Sequence, residues 1–298
     1  MTLGGPRCSA ESLDRAESLH ATASLVSAWL LVEQPGAWGP EALKESKFPH
    51  DVADQLLRRA GGVRILLIRR RDSSENPVFF KANSGAEGRA PVLLSEHLSD
   101  PADLLAIDFE ALTQGDPGSG LEVTEPMYLV CTHGRHDICC ADQGRPLYRA
   151  LSEIRPDQTW EVSHLGGDRF AGNVLVLPRG DYFGRVGAEG SEALVAGYEA
   201  GRLDLAHHRG RSTQPRLVQA AEHFVREAEA LPGFDDLTVT RYSRSDHDHA
   251  VVVFEGPTGE FRVEVVARDL PGSVLTCRSE QPAHPVTYDL VSMTGGSS

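Results

Sequence analysis

The chain has 298 residues, 40% of them hydrophobic and 24% charged, so its apolar content is sufficient for a folded core. Its 43 acidic residues outnumber 29 basic ones, and the resulting net charge of −14 opposes binding to nucleic acid or to anionic membranes. The apolar stretch at residues 25–32 is too short for a membrane span of about 20 residues, and acidic residues precede it where a secretory signal would be basic. These features predict a cytoplasmic protein.

Residues 1–120 are predicted to form an α+β region. Helices are expected at residues 24–33 and His50–Arg59, and short apolar runs predict buried strands at residues 63–68, 77–80 and 104–109. Glycine and proline are concentrated at residues 113–120, which favours a domain boundary there.

Residues 121–205 are predicted to form a central domain with a mixed sheet covered by helices. The order is strand, helix, strand, two strands and helix, at Met127–Cys131 and residues 146–154, 159–163, 173–178, 182–186 and 191–201. Arg179-Gly180-Asp181 is a good hairpin signal between the last two strands. This order is that of a thioredoxin-like layer.

Residues 206–298 are predicted to form a small α+β module. An amphipathic helix is expected at residues 216–231, followed by strands at 237–242, 250–255, 260–267 and 274–277.

Five cysteines are present, and three of them, Cys131, Cys139 and Cys140, lie within ten residues. The odd number and the clustering are not those of a secreted disulfide framework, and indicate metal or redox chemistry in a reducing compartment. Cys8 and Cys277 are distant from this cluster in sequence and are predicted to be free thiols.

The cysteine cluster lies where neighbouring elements of the predicted sheet end. Cys131 closes one strand, Cys140 opens the next helix, and His164 follows the adjacent strand. These groups can therefore converge at one edge of the sheet. Gly166 and Gly167 permit a tight turn that would bring Asp168 to the same point.

Several kinds of chemistry fit these residues. Thiolates hold the irons of iron–sulfur clusters, and imidazole replaces thiolate in some of them. The same donors could hold a zinc ion in a structural binding module. The vicinal pair Cys139 and Cys140 would also suit a thiol–disulfide oxidoreductase, or the thiols could be purely structural.

The motifs that surround these residues resemble the sucrase/ferredoxin-like family. The similar segments are residues 131–140, 144–147, 164–173, 29–39, 210–212 and 219–222. The resemblance spans most of the chain and implies a thioredoxin-like ferredoxin that carries a [2Fe-2S] cluster and transfers electrons.

The resemblance also implies the ligands. Cys131 and Cys140 match the two cysteines of the family's motif, and His164 matches the first histidine of its His-x-x-x-His pair. Asp168 stands where the second histidine is expected, so Asp168 is the predicted fourth ligand, with Cys139, His133 or water as alternatives.

The implied function is that of an electron carrier rather than a catalyst. No G-x-G-x-x-G motif follows a predicted strand, so a separate reductase is expected to supply the electrons as a redox partner protein. Neither nucleic acid nor a membrane is an expected partner.

Overall fold

The structure is a computed structural model that describes residues 7–71, 77–85 and 89–296. Its helices are α1 Cys8–Asp14, α2 His50–Arg59, α3 Phe109–Thr113, α4 Ile138–Ile154, α5 Ser191–Glu199 and α6 Arg216–Glu229. Its strands are β1 Ala28–Glu33, β2 Val63–Arg69, β3 Val78–Asn83, β4 Val92–His97, β5 Leu121–Glu122, β6 Met127–Cys131, β7 Thr159–Val162, β8 Val174–Leu177, β9 Asp181–Phe183, β10 His208–Arg211, β11 Thr238–Arg244, β12 His249–Gly256, β13 Gly259–Asp269 and β14 Val286–Gly295.

Ten strands form one large mixed sheet in the order β10-β9-β8-β6-β7-β2-β1-β3-β4-β5. The pairs β1–β2 and β6–β7 are parallel, whereas β2 and β7 pair antiparallel and join the two halves of the sheet. The predicted first and central regions therefore share a sheet, and the expected boundary at residues 113–120 lies in the connection between α3 and β5. The mixed α and β content agrees with the predicted class.

The second sheet contains β11, β12, β13 and β14 in antiparallel order, and α6 packs against it. The predicted helix and the first three strands of this module are confirmed. The strand predicted at residues 274–277 is wrong, because Ser273 makes only an isolated bridge with Ala283. The fourth strand is β14, whose mostly exposed side chains left no strong apolar alternation to indicate it.

The helix predicted at residues 24–33 is also wrong, because its second half forms β1. All six residues of β1 are buried. Trp29 and Leu31 contribute to one core cluster, and Leu30 and Val32 to the cluster that packs with α2 and α3. A strand covered on both faces has a continuous apolar sequence, which periodicity does not distinguish from a buried helix.

One further predicted strand and one helix boundary differ from the prediction. Residues 104–109 form no strand, because the Asp100 side chain caps a 3-10 helix at Pro101–Ala106. Helix α4 begins at Ile138 rather than at Pro146, because the Asp137 carboxylate accepts a hydrogen bond from the Cys139 N–H at 2.8 Å and caps the helix. No helix in the described part of the chain combines the length and apolar character needed to cross a bilayer.

The N-terminal segment contacts α6 through two stacked histidines. The rings of His20 and His223 lie 4.0 Å apart, measured between their centroids. Burial lowers the pKa of both, that of His223 to about 3. Because an unfolded histidine titrates near 6.5, the stabilising contribution of the neutral pair is present above that pH and is lost as the pH falls toward 3.

We therefore expect His223→Leu to make the fold less sensitive to acid. Between pH 7 and pH 4 the free energy of unfolding of the variant should fall by about 1–2 kcal/mol less than that of the wild type. Partial exposure of His223 to solvent keeps the difference this small. Chemical denaturation at both pH values measures the difference, with exposed His97→Leu as the control. An equal loss in wild type and His223→Leu would contradict the assignment.

Candidate metal centre

Helix α4 begins against the carboxyl end of β6, and a glycine sets this close approach. A Cβ atom added at Gly144 would lie 2.0 Å from the carbonyl oxygen of Cys131. Only glycine therefore allows α4 to lie at this distance from the strand. The contact brings the first turn of α4, which carries Cys140, beside Cys131 at the end of β6.

Cys131 and Cys140 are both buried, with 1% of each residue exposed. The Cys140 thiol donates a hydrogen bond to Oδ1 of Asp168 at 3.3 Å. Interaction with the Cys140 thiol lowers the pKa of Cys131 and outweighs the opposite effect of burial. Interaction with Cys131, together with burial, raises the pKa of Cys140. Cys140 therefore carries a proton that a metal ion would displace.

His164 lies beside the same carboxylate. Its Nδ1 lies 3.0 Å from Oδ1 of Asp168, and about a third of its side chain is exposed. This nitrogen is buried but has no correctly aligned hydrogen-bond partner. A buried nitrogen without an aligned partner, beside a carboxylate, is suited to bind a metal ion. The ligand atoms of His136, His164 and Asp168 lie within 4.8 Å of one another.

His136 is a further donor at this site, and its position within the cysteine motif indicated only a loop residue. Its ring stacks on His164 at 3.7 Å between centroids, and its Nε2 lies 3.7 Å from Oδ2 of Asp168. Burial lowers the pKa of His136, so its imidazole is neutral and available at neutral pH. Burial alone would raise the pKa of Asp168, but His164 and His136 outweigh this effect and lower it.

A buried arginine fixes the shape of the loop at residues 164–168. Gly166 and Gly167 have φ angles of +92° and +79°, as the expected tight turn requires. Arg209 donates to the Gly166 carbonyl at 3.0 Å and to the Asn173 side chain at 2.8 Å, and Asn173 donates to the Gly167 carbonyl at 2.8 Å. Burial lowers the pKa of Arg209 to about 10. Nothing in the local sequence around Arg209 indicated this role.

The alternative fourth ligands have neighbours of their own. Nε2 of His133 lies 2.7 Å from the Gly39 carbonyl oxygen, whereas its Nδ1 is buried without a hydrogen-bond partner. The Cys139 sulfur contacts those of Cys8 and Cys277, at 3.7 and 3.4 Å. Consecutive residues of a helix point in different directions, and Cys139 and Cys140 accordingly join two separate groups. The free thiols predicted at positions 8 and 277 are thus neighbours of the motif in space.

Two thiols, an imidazole and a carboxylate match the donor preferences of iron–sulfur centres and of zinc. A profile of the sucrase/ferredoxin-like family matches residues 19–210, well over half of the chain. The chain belongs to the sucrase/ferredoxin-like family. The matched segment contains the whole candidate centre, including the arginine that fixes its loop.

A protein with a curated description is similar to the chain over a shorter segment. "Altered inheritance of mitochondria protein 32" from Meyerozyma guilliermondii is 31% identical over 84 residues, which cover 25% of this chain and 30% of that protein. The chain thus spans about a third of the length of that relative. No solved structure matches the chain.

Alanine substitutions at two helical glycines test the close contact between α4 and β6. Gly144→Ala should destabilise the fold by about 2–3 kcal/mol and reduce bound metal, because the new methyl group must displace α4 from Cys131. Gly197→Ala lies in helix α5, where a Cβ meets nothing closer than 3.7 Å, and should be neutral or stabilising by up to about 1 kcal/mol. Chemical denaturation and metal analysis measure both effects; similar behaviour of the two variants would contradict the proposed contact.

Proposed function

We propose that this protein is an electron carrier that binds one [2Fe-2S] cluster through Cys131, Cys140 and His164, with Asp168 as the fourth ligand. The observation that carries the proposal is the position of Asp168, whose Oδ1 lies within 3.3 Å of both the Cys140 sulfur and Nδ1 of His164. Asp168 thus links the Cys140 thiol in α4 to the His164 imidazole in the loop after β7, and Cys131 ends the neighbouring strand β6.

The connections around the centre support a thioredoxin-like unit. Helix α4 joins the parallel strands β6 and β7, and the antiparallel strands β8 and β9 are followed by α5. These four strands are adjacent in the order β9-β8-β6-β7. We infer that this unit is the ferredoxin-like part of the sheet, to which the N-terminal strands are added through β2.

When bound, the cluster supplies the one-electron chemistry, and the chain's own residues set its surroundings. Cys131 and Cys140 lie in the apolar core, which excludes water from that side. His164 is the exposed ligand and provides the short route for electrons to and from a partner. The anionic, harder carboxylate of Asp168 favours the ferric state relative to a second imidazole. Five cysteines without a disulfide suit a reducing compartment such as the cytoplasm.

The thiol–disulfide oxidoreductase that Cys139 and Cys140 suggested has less support. Both residues are 99% buried, whereas a catalytic thiol must be accessible to its disulfide substrate. A mononuclear zinc site would use the same donors as the cluster, and the first experiment below distinguishes it.

The cluster assignment predicts a red-brown protein after anaerobic purification, with equal amounts of iron and acid-labile sulfide. Asp168→His should keep the cluster and raise its reduction potential, because a neutral imidazole replaces an anion. Electron paramagnetic resonance of the reduced protein should show changed g-values in Asp168→His, and much smaller changes in His136→Ala. A colourless protein with one zinc ion would contradict the cluster, and the reverse ranking of the two variants would identify His136 as the ligand.

A basic surface adjoins the centre in this acidic protein. A cavity of about 320 Å³ is lined by Arg69, Arg71, Arg145 and Arg149 together with Tyr148 and Glu161. The cavity beside it shares Arg69 and Arg145, and includes residues 132–135 that directly follow Cys131. We propose that an acidic face of the reductase binds here, beside the residues that follow Cys131.

Small charged oxidants can test this surface without an identified reductase. The double variant Arg145→Glu and Arg149→Glu should slow oxidation of the reduced cluster by ferricyanide about 3–10-fold at low ionic strength, and should accelerate oxidation by a cationic cobalt hexaammine. Stopped-flow absorbance measures both rates. Arg241→Glu with Arg262→Glu, on the exposed face of the second sheet, changes the net charge equally and is the control. Equal effects of both double variants would show that only net charge matters, against a local docking surface.

A further inference from the structure

Three cysteines from distant parts of the chain meet on the opposite side of the first turn of α4. The sulfur of Cys139 lies 3.7 Å from that of Cys8 and 3.4 Å from that of Cys277, and the sulfurs of Cys8 and Cys277 are 3.5 Å apart. Asp137 adds a carboxylate whose oxygens are 3.7 and 3.9 Å from the Cys8 sulfur. These four ligand atoms lie within 4.8 Å of one another.

The distances match those around a single metal ion. With a Zn–S bond of about 2.3 Å, sulfurs at the corners of a tetrahedron are about 3.8 Å apart, and a carboxylate oxygen bound at about 2.0 Å lies about 3.5 Å from each sulfur. Disulfide formation would bring two of the sulfurs to about 2.05 Å and leave the third unpaired. All three sulfurs are instead mutually close, which indicates one common centre.

Sequence proximity does not account for this cluster. Cys8 lies in α1, Cys139 in α4, and Cys277 in the connection between β13 and β14. The sequence separation is 131 residues from Cys8 to Cys139 and 269 residues from Cys8 to Cys277. Cys8 and Cys139 are almost fully buried, and Cys277 is partly exposed, which leaves a path for an ion to enter. The surrounding apolar contacts are few, namely Ala171 and Val274.

Hydrogen bonds hold the carboxylate of Asp137 in place. Its Oδ1 accepts from the Cys139 N–H at 2.8 Å, and its Oδ2 accepts from the Thr276 hydroxyl at 2.8 Å and from the Cys277 N–H at 2.6 Å. A carboxylate has about four acceptor positions, so a lone pair remains for a metal. These partners orient the ligand in the way that groups around metal ligands commonly do.

We propose that Cys8, Cys139 and Cys277, with Asp137, bind one zinc ion. The ion joins the N-terminal helix and the β13–β14 connection to α4, next to Cys140. Binding displaces the thiol protons to solvent and involves no change of oxidation state. Zinc here is structural, since all four positions are filled by the protein.

The experiment measures zinc and iron in the full-length protein, expressed with both metals and purified without air. The wild type should hold one zinc ion per chain. The double variant Cys131→Ser and Cys140→Ser should lose iron and retain zinc, whereas Cys8→Ser and Cys277→Ser should lose zinc and retain iron. The two proposals use different cysteines, so either can fail without the other.

A second measurement uses the wild type alone and does not depend on whether a variant folds. Cobalt added to zinc-depleted protein should produce thiolate-to-cobalt charge-transfer absorption, and zinc should bleach it. Zinc should also protect the thiols of Cys8, Cys139 and Cys277 from alkylation, as peptide mass spectrometry identifies. A wild type without zinc or cobalt binding would overturn the proposal. Loss of zinc in the double variant Cys131→Ser and Cys140→Ser, with zinc retained in Cys8→Ser and Cys277→Ser, would also overturn it. A protein mass lower by two hydrogens, with a disulfide among Cys8, Cys139 and Cys277, would do the same.

Discussion

The close contact between α4 and the end of β6 determines where the chemistry of this protein can take place. Gly144 lets the helix approach the Cys131 carbonyl, and the Asp137 cap starts the helix so that Cys139 and Cys140 fall in its first turn. Their side chains diverge around the helix axis. One thiol therefore joins Cys131 and Asp168 in the core, and the other joins Cys8 and Cys277 near the surface.

The large sheet supplies the rest of the site by bringing strand ends together. Strands β6 and β7 are parallel neighbours, so Cys131 at the end of β6 and His164 in the loop after β7 lie at the same edge of the sheet. Arg209 belongs to the edge strand β10, is buried, and donates a hydrogen bond to the Gly166 carbonyl in the loop after β7. An arginine with its charge buried would be costly, and its bonds to the Gly166 carbonyl and the Asn173 side chain offset that cost. Residues from several parts of the sheet thus stabilise one loop.

Sequence reasoning could find what depends on local pattern. The apolar run of β6, the tight turn at Gly166 and Gly167, and the spacing of Cys131 and Cys140 are all local, and the structure contains each of them. It failed at β1, where burial on both faces removes the alternation of a strand. Sequence patterns could not predict the contacts of Cys8 and Cys277 with Cys139, or of Arg209 with Gly166, because these contacts depend on how distant segments pack. His136 lay inside the cysteine motif, but only its stacking on His164 indicates a role.

Anomalous diffraction can locate the proposed iron–sulfur cluster at Cys131, Cys140 and His164, in crystals of the anaerobically purified protein with data on both sides of the iron absorption edge. We expect iron density between the two sulfurs and the His164 ring, with an oxygen of Asp168 in the coordination shell. Iron bound at Cys139 instead, or a centre at Cys131 and Cys140 that responds only at the zinc edge, would contradict the proposed function.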